Sequence, residues 1–189
     1  RWSKPILGYA DANGDGVLQE SEVAIGDTAV YVGTSVPNYQ ADLTGTLGLW
    51  RGAVTVNAQL HYDDGFTQMN SLAYHLAPFS PELNSGTSTL AEQAAVIPLT
   101  TTPYNWFQTV HVLRFQSLSV GYRVPTPVAR RLGAQGLSVS VQGGNLGIWS
   151  NYRGLDPNVN TFATGNAGVS DNGVLPQLRV WQVQINAGY

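Results

Sequence analysis

In QLRVWQVQINAGY, residues 177–189, every second side chain from Trp181 onward is apolar: Trp181, Val183, Ile185, Ala187 and Tyr189. Side chains of a strand point alternately to its two faces, so this stretch predicts a strand with one apolar face. Between them stand Gln182, Gln184, Asn186 and Gly188, polar or lacking a side chain but uncharged. A strand of about ten residues with one face for lipid, one for water and an aromatic at its end meets the needs of a closing strand in an outer-membrane barrel.

The composition points the same way. Charged residues make up 11 % of the 189 residues, against roughly 25 % in soluble globular proteins. A net charge of -3 supplies no basic footprint and argues against nucleic acid as a partner. There is no Cys, which excludes disulfide and thiolate–metal frameworks. No apolar run approaches the roughly 18 residues of a spanning helix. Any membrane crossing is therefore by strands. With Arg1 first and no basic-then-apolar leader, the chain reads as the C-terminal piece of an exported protein.

Alternation marks four more strands. From Tyr39, the residues Ala41, Leu43, Gly45, Leu47 and Leu49 share a face with it, opposite Gln40, Asp42, Thr44 and Thr46. After a turn at Arg51-Gly52, residues 53–62 set Val54, Val56, Ala58, Leu60 and Tyr62 against Thr55, Asn57, Gln59 and His61, which predicts a hairpin. Strand 109–122 changes parity between Phe115 and Leu118, predicting a bulge near Gln116-Ser117. Strand 137–148 carries Leu137, Val139 and Val141 on one face, with a further register shift expected at Gly143-Gly144.

The connections at 51–52 and 123–136 are short, with one helical turn around Arg130 and Arg131 in the second. Those at 63–108 and 149–176 are long; the first starts at Asp63-Asp64-Gly65, is broken by Pro78, Pro81, Pro98 and Pro103, and has room for a short helix near Thr89–Val96. In outer-membrane barrels the short turns are periplasmic and the long loops extracellular. Tyr39, Trp50, Tyr62, Tyr122 and Trp149 then fall where membrane-interface aromatics are expected.

Residues 11–22, DANGDGVLQESE, fit the calcium-loop pattern D-x-[DN]-x-[DN]-G-x5-E. Asp11, Asn13 and Asp15 would offer side-chain oxygens, Val17 its carbonyl and Glu22 a bidentate carboxylate, with Gly16 at the sharp turn and Leu18 as apolar anchor. The flanks leave no room for two helices, so the loop is isolated and its proposed Ca2+ role structural. The other reading is an Asx- and Gly-rich surface turn.

The expected fold is all-β: about five antiparallel strands of a larger transmembrane β-barrel, with residues 1–38 an extracellular loop holding the calcium loop and residues 39–189 the C-terminal barrel strands. Five strands cannot close a barrel, whose minimum is about eight. More strands must come from elsewhere.

The ordered succession DANGDGVL with Glu22, VPNYQADLTGTLGLW, VHVLRFQSLSVGYRVP, VQGGNLGIWSNYRGLDPN and a last strand ending in an aromatic resembles the C-terminal part of SusC/RagA-type TonB-dependent outer-membrane receptors. The resemblance covers nearly the whole chain. It implies a Gram-negative outer membrane, outer-membrane lipid, a barrel of about 22 strands around a plug, import of large nutrients such as glycans or peptides, a SusD-like surface lipoprotein and energy from TonB through an N-terminal part outside this chain. It also implies that Tyr189 is the signal read by the assembly machinery. The chain departs from the family at Asn158, where an acidic residue is frequent, and substrate contacts are not legible in it.

No enzyme chemistry stands out. His61, His75 and His111 lack metal spacing, and His61 has the parity of a polar wall. Asp63-Asp64 reads as a solvated loop tip in preference to a glycosidase pair. Trp106, Phe107, Trp149 and Tyr152 are placed at the outer rim, as interface anchors before sugar-stacking groups. Two other readings stay open: a processed β-rich structural fragment, calcium-stabilised, that assembles with other chains at the cell surface, and a soluble calcium-binding β-domain.

Overall fold

The protein's structure, a computed structural model, describes residues 1–76, 88–97, 102–157, 161–162, 169–170 and 175–189. Pro78, Pro81 and Pro98 of the first long connection, and Asn158 with much of the Gly/Asn-rich tract, lie outside the described residues. The chain runs through β1 (Trp2–Ser3), β2 (Ile6–Tyr9), β3 (Val23–Ile25), β4 (Val30–Tyr31), β5 (Tyr39–Leu49) and β6 (Val54–Met69), then helices α1 (Ser71–Leu76) and α2 (Leu90–Val96). It continues with β7 (Phe107–Val124), α3 (Thr126–Arg131), β8 (Gly136–Ser150), β9 (Thr161–Phe162), β10 (Val169–Ser170) and β11 (Val180–Gly188). The structure is mostly antiparallel β-sheet. Its contacts divide it into a sheet unit, residues 39–63, 112–150 and 177–189, and a loop unit, residues 1–38, 64–111 and 151–176.

In the sheet unit the strands follow the order β5-β6-β7-β8-β11. β5 with β6 and β7 with β8 pair across short connections, which favour antiparallel pairing of consecutive strands, while β6 with β7 and β8 with β11 pair across the long ones. The β5–β6 turn holds Trp50 (φ 48°), Arg51 (φ 60°) and Gly52 (φ 84°) all in the left-handed region. The register sorts the side chains by chemistry. Val120, Val141 and Val183 form one row across three strands, Tyr122, Val139 and Ile185 the next, and Val124, Leu137 and Ala187 a third. The alternate rows are polar: Ser119, Gln142 and Gln182; Gly121, Ser140 and Gln184; Arg123, Ser138 and Asn186. A slip of one residue would exchange the two faces, so the alternation pins the register.

The bulge expected in the third strand is in its partner. The register shifts between Phe115 and Ser117, with Phe115 opposite Gly147 and Ser117 opposite Gly144. Asn145 and Leu146 therefore stand against Gln116 alone. Asn145 adopts φ 53°, a left-handed conformation that its short amide tolerates, and donates from Nδ2 to the Leu178 carbonyl at 3.2 Å. Strand β7 keeps its alternation, which leaves Leu113 and Phe115 on the face of Ser119. Strand β8 changes parity instead, just beyond the predicted Gly143-Gly144 position.

Asp63-Asp64-Gly65 also departs from its expected place. These residues do not open a loop; β6 runs through them to Met69. Similarly, β7 begins at Phe107 and β8 extends to Ser150.

The loop unit pairs β1 with β4 and β2 with β3, both antiparallel. Its core gathers Leu18, Val23 and Ala94, with Ile6, Ile25, Leu90 and Ile97 packed against them. Helix α2 lies where a short helix is expected. Its N-terminus is closed by a capping box: Thr89 N–H and Oγ1 both donate to Glu92 Oε2, at 2.9 and 2.8 Å, and Glu92 N–H donates back to Thr89 Oγ1. Ser3 Oγ and Thr102 Oγ1 share a buried hydrogen bond of 2.9 Å that ties β1 to the segment before β7.

A candidate membrane face and a candidate loop site

The apolar face of the sheet unit is bare. Leu43 and Ile185 are each 66 % exposed and Val183 is 64 % exposed. Every residue of β5 and of β11 is exposed. The buried apolar side chains of this unit are Val112, at the top of its β7 segment, and Ala129 and Ala134 around α3. An uncovered apolar sheet face of this extent marks contact with another protein or with lipid.

Four of the five expected interface aromatics suit such a face. Tyr39, Tyr62 and Tyr122 are exposed at apolar-face parity, and Trp50 projects from the β5–β6 turn, 76 % exposed. Trp149 does not join them. The β8 bulge sets it opposite Leu113 on the polar face, with its ring over Gly147, where an added Cβ would stand 2.8 Å from it.

The opposite face is hydrogen-bonded along the sheet. Thr46 Oγ1 donates to Asn57 Oδ1 at 2.8 Å, and Asn57 Nδ2 donates to Ser119 Oγ at 3.1 Å. Higher on the same face, His61 Nδ1 lies 2.7 Å from Asp42 Oδ1 and its Nε2 lies 2.9 Å from Asp63 Oδ2. Gln40 Nε2 donates to Asp63 Oδ1 at 2.8 Å. Both imidazole nitrogens are thereby engaged by carboxylates, and neither is free for a metal. In the loop unit, His111 Nδ1 lies 3.7 Å from Asp64 Oδ1. His75 meets the Tyr74 ring edge-on.

Residues 11–22 fold as one compact loop. Asp11 Oδ1 accepts from the Gly14 and Asp15 N–H groups at 2.8 and 3.3 Å, and Asp11 Oδ2 accepts from Gly16 N–H at 2.9 Å. Asn13 Oδ1 accepts from Asp15 N–H, and Asp15 Oδ1 from Val17 N–H. Glu22 closes the loop, accepting from Ala12 N–H at 2.9 Å and Gln19 N–H at 2.8 Å. Gly16 makes the turn at φ 80°. The oxygen-bearing residues of the motif thus surround one loop, while among the described residues no group of three or more His, Cys, Asp or Glu is gathered as a metal site.

Sequence reading missed what fastens this loop. Gln93 of α2, 3 % exposed, accepts from Leu18 N–H at 2.7 Å and donates to the Gly16 carbonyl at 2.9 Å and the Ser88 carbonyl at 3.1 Å. The two partners are 75 residues apart, and nothing local signals the contact.

Three of the four rim aromatics, Trp106, Phe107 and Tyr152, are packed within the loop unit, while Trp149 belongs to the sheet unit. Trp106 Nε1 donates to the Ala95 carbonyl at 3.2 Å, the Arg1 guanidinium stands over Phe107, and buried Tyr152 donates from its hydroxyl to the Met69 carbonyl. Tyr189 follows β11 and is 87 % exposed. Compared with known proteins, the chain matches no family model and no curated relative.

Proposed function

We propose that this chain is the C-terminal barrel portion of a SusC/RagA-type TonB-dependent receptor in a Gram-negative outer membrane, a non-enzymatic importer of large nutrients. The observation that carries this reading is the bare apolar face, rows of Val, Leu, Ile and Tyr across antiparallel strands with a hydrogen-bonded polar face behind them. Lipid would cover the first and an aqueous lumen the second. The free edges of β5 and β11 would pair with the remaining strands of the same receptor, since unpaired backbone groups in lipid cost several kcal/mol each. The plug, TonB and a SusD-like lipoprotein complete the machine.

Asp11, Asn13, Asp15, the Val17 carbonyl and Glu22 would hold a structural Ca2+. The all-oxygen donor set and the Gly16 turn support this. An intact receptor that takes up no calcium in calorimetric titration, or in which Asp15→Ala leaves loop proteolysis unchanged with and without calcium, would end that assignment.

The chain has no native thiol, so single cysteines test the main reading. In outer membranes bearing the full receptor, cysteines at Gln182 and Gln184 should react with a membrane-impermeant maleimide, and cysteines at Val183 and Ile185 should be protected. Equal labelling of both parities would overturn the membrane assignment and favour a face covered by other chains.

A further inference from the structure

The charges of the sheet unit are unevenly placed. Antiparallel pairing brings the β5–β6 turn, the α3 connection and the end of β11 to one end of the sheet. Two backbone bonds lock them there: Arg123 N–H to the Ala53 carbonyl at 2.8 Å, and Gln135 N–H to the Gly188 carbonyl at 2.7 Å. This end carries Arg51, Arg123, Arg130 and Arg131, all exposed. The sequence has no Asp or Glu between Asp42 and Asp63, between Glu92 and Asp156, or after Asp171. Among the described residues no carboxylate side chain pairs with any of the four. In a chain of net charge -3, these four cations stand at one pole.

Exposed apolar groups are mixed with them. Trp50 is 76 % exposed beside Arg51, and Leu132 (67 %) and Val128 (46 %) flank Arg130 and Arg131. Ala129 and Ala134 are buried, and Ala134 N–H donates to the Ala129 carbonyl, so the inner side of α3 is fixed and its arginines are left exposed. Arg123 belongs to the polar face, opposite Ser138, and adds to the field at this end without facing outward. An indole, aliphatic side chains and unpaired guanidinium groups together match the boundary of a lipid leaflet, where the aromatic sits at headgroup level and cations meet phosphate.

We propose that the short-connection end of the sheet unit docks on the phosphate headgroups of an anionic phospholipid leaflet through Arg51, Arg130 and Arg131, with Trp50 and Leu132 seated among the headgroups. Guanidinium groups suit this role because they bind phosphate through two parallel N–H bonds. The proposal rests on the membrane reading above and adds to it the leaflet chemistry.

The test uses the full receptor reconstituted into vesicles of phosphatidylcholine alone or with phosphatidylglycerol, then extracted for native mass spectrometry. Insertion is read separately, from the heat-modifiable shift of the folded barrel on a gel. Wild type should insert into both and retain phosphatidylglycerol over phosphatidylcholine by about tenfold at equal mole fraction, with the preference falling in 0.5 M salt. The triple variant Arg51→Gln, Arg130→Gln, Arg131→Gln should insert and lose the preference. If wild type inserts but retains both lipids equally, the docking proposal fails and the membrane reading stands. A preference that survives both salt and the triple variant places the anionic lipid elsewhere and also overturns it. Failure of wild type to enter either vesicle removes the membrane reading and this proposal together. Should the triple variant not fold, the salt dependence of wild type decides.

Discussion

Single residues fix the loop unit at points that no local pattern reveals. Gly33 has φ 134°, a conformation open almost only to glycine, and a Cβ there would stand 1.9 Å from Thr67 Oγ1. Gly33→Ala should therefore cost about 3 kcal/mol through backbone strain and overlap, read as a lowered denaturation midpoint of the loop unit. Gln93 is the other such residue. Gln93→Ala would strip a buried N–H at Leu18 and a carbonyl at Gly16 of their partners, a loss of about 2 kcal/mol. Hydrogen exchange across residues 11–22 should quicken even in the presence of calcium. Unchanged protection would show that the loop holds itself. The side chains of Asp11, Asn13, Asp15 and Glu22 could be read from the sequence because the N–H groups they accept from are at most 10 residues away; Gln93 could not, because its partner Leu18 is 75 residues away.

Elements were legible where their signal is local and periodic. The strands β5, β6, β7, β8 and β11 each carry a period of two, and α2 lies within a short helix-sized window. What the sequence hid was where strands end. Asp63-Asp64-Gly65 looks like a turn, yet β6 passes through it because side chains and backbone satisfy its polar groups: Gln40 of β5 and His61 of the same strand hold the Asp63 carboxylate, and Asn38 donates to the Asp64 and Gly65 carbonyls, both at 2.8 Å. The bulge inferred near Gln116-Ser117 lies at that position, but its extra residue is in β8, next to the shift expected at Gly143-Gly144, since a parity change in the apolar pattern of β7 cannot say which partner holds the extra residue. Asn145→Ala should cost about 1 kcal/mol for a left-handed alanine, while Asn145→Gly should be better tolerated. Urea unfolding of the reconstituted receptor checks the order of the two. Helix α2 makes a pH-dependent contribution. Hydrogen bonds from the Thr89 side chain, then from its backbone N–H, hold the Glu92 carboxyl below its ordinary value. Because the folded value is the lower one, the stabilisation is present above the unfolded value, near pH 4.5, and is lost as pH falls through the folded value. Protection factors at residues 89–96, exchange referred to the intrinsic rate at each pH, should fall on acidification in wild type and show a smaller pH response in Thr89→Ala.

For the molecule as a whole, the decisive matter is what covers the apolar face, and charge placed on the two faces answers it differently for each possible cover. Val120 and Val183 lie in one row with Val141, while Ser119 and Gln182 lie in the adjacent row on the other side of the same strands. The two rows share strand, depth and backbone pairing, so they differ only in what their side chains meet. If lipid covers the first, Val120→Arg or Val183→Arg should cost roughly 2–4 kcal/mol at mid-depth. Ser119→Arg or Gln182→Arg, facing water, should cost less than 1 kcal/mol, because a solvated surface charge is nearly neutral for stability. Folding titrations of the full receptor into vesicles measure both pairs under one condition. A cover of protein side chains would also penalise arginine at Val120, but that penalty would persist in a detergent-free assembly, where no bilayer exists to exclude the charge. Equal costs for both rows would mean that neither face meets lipid, and the strands would then belong to an assembly of chains in water.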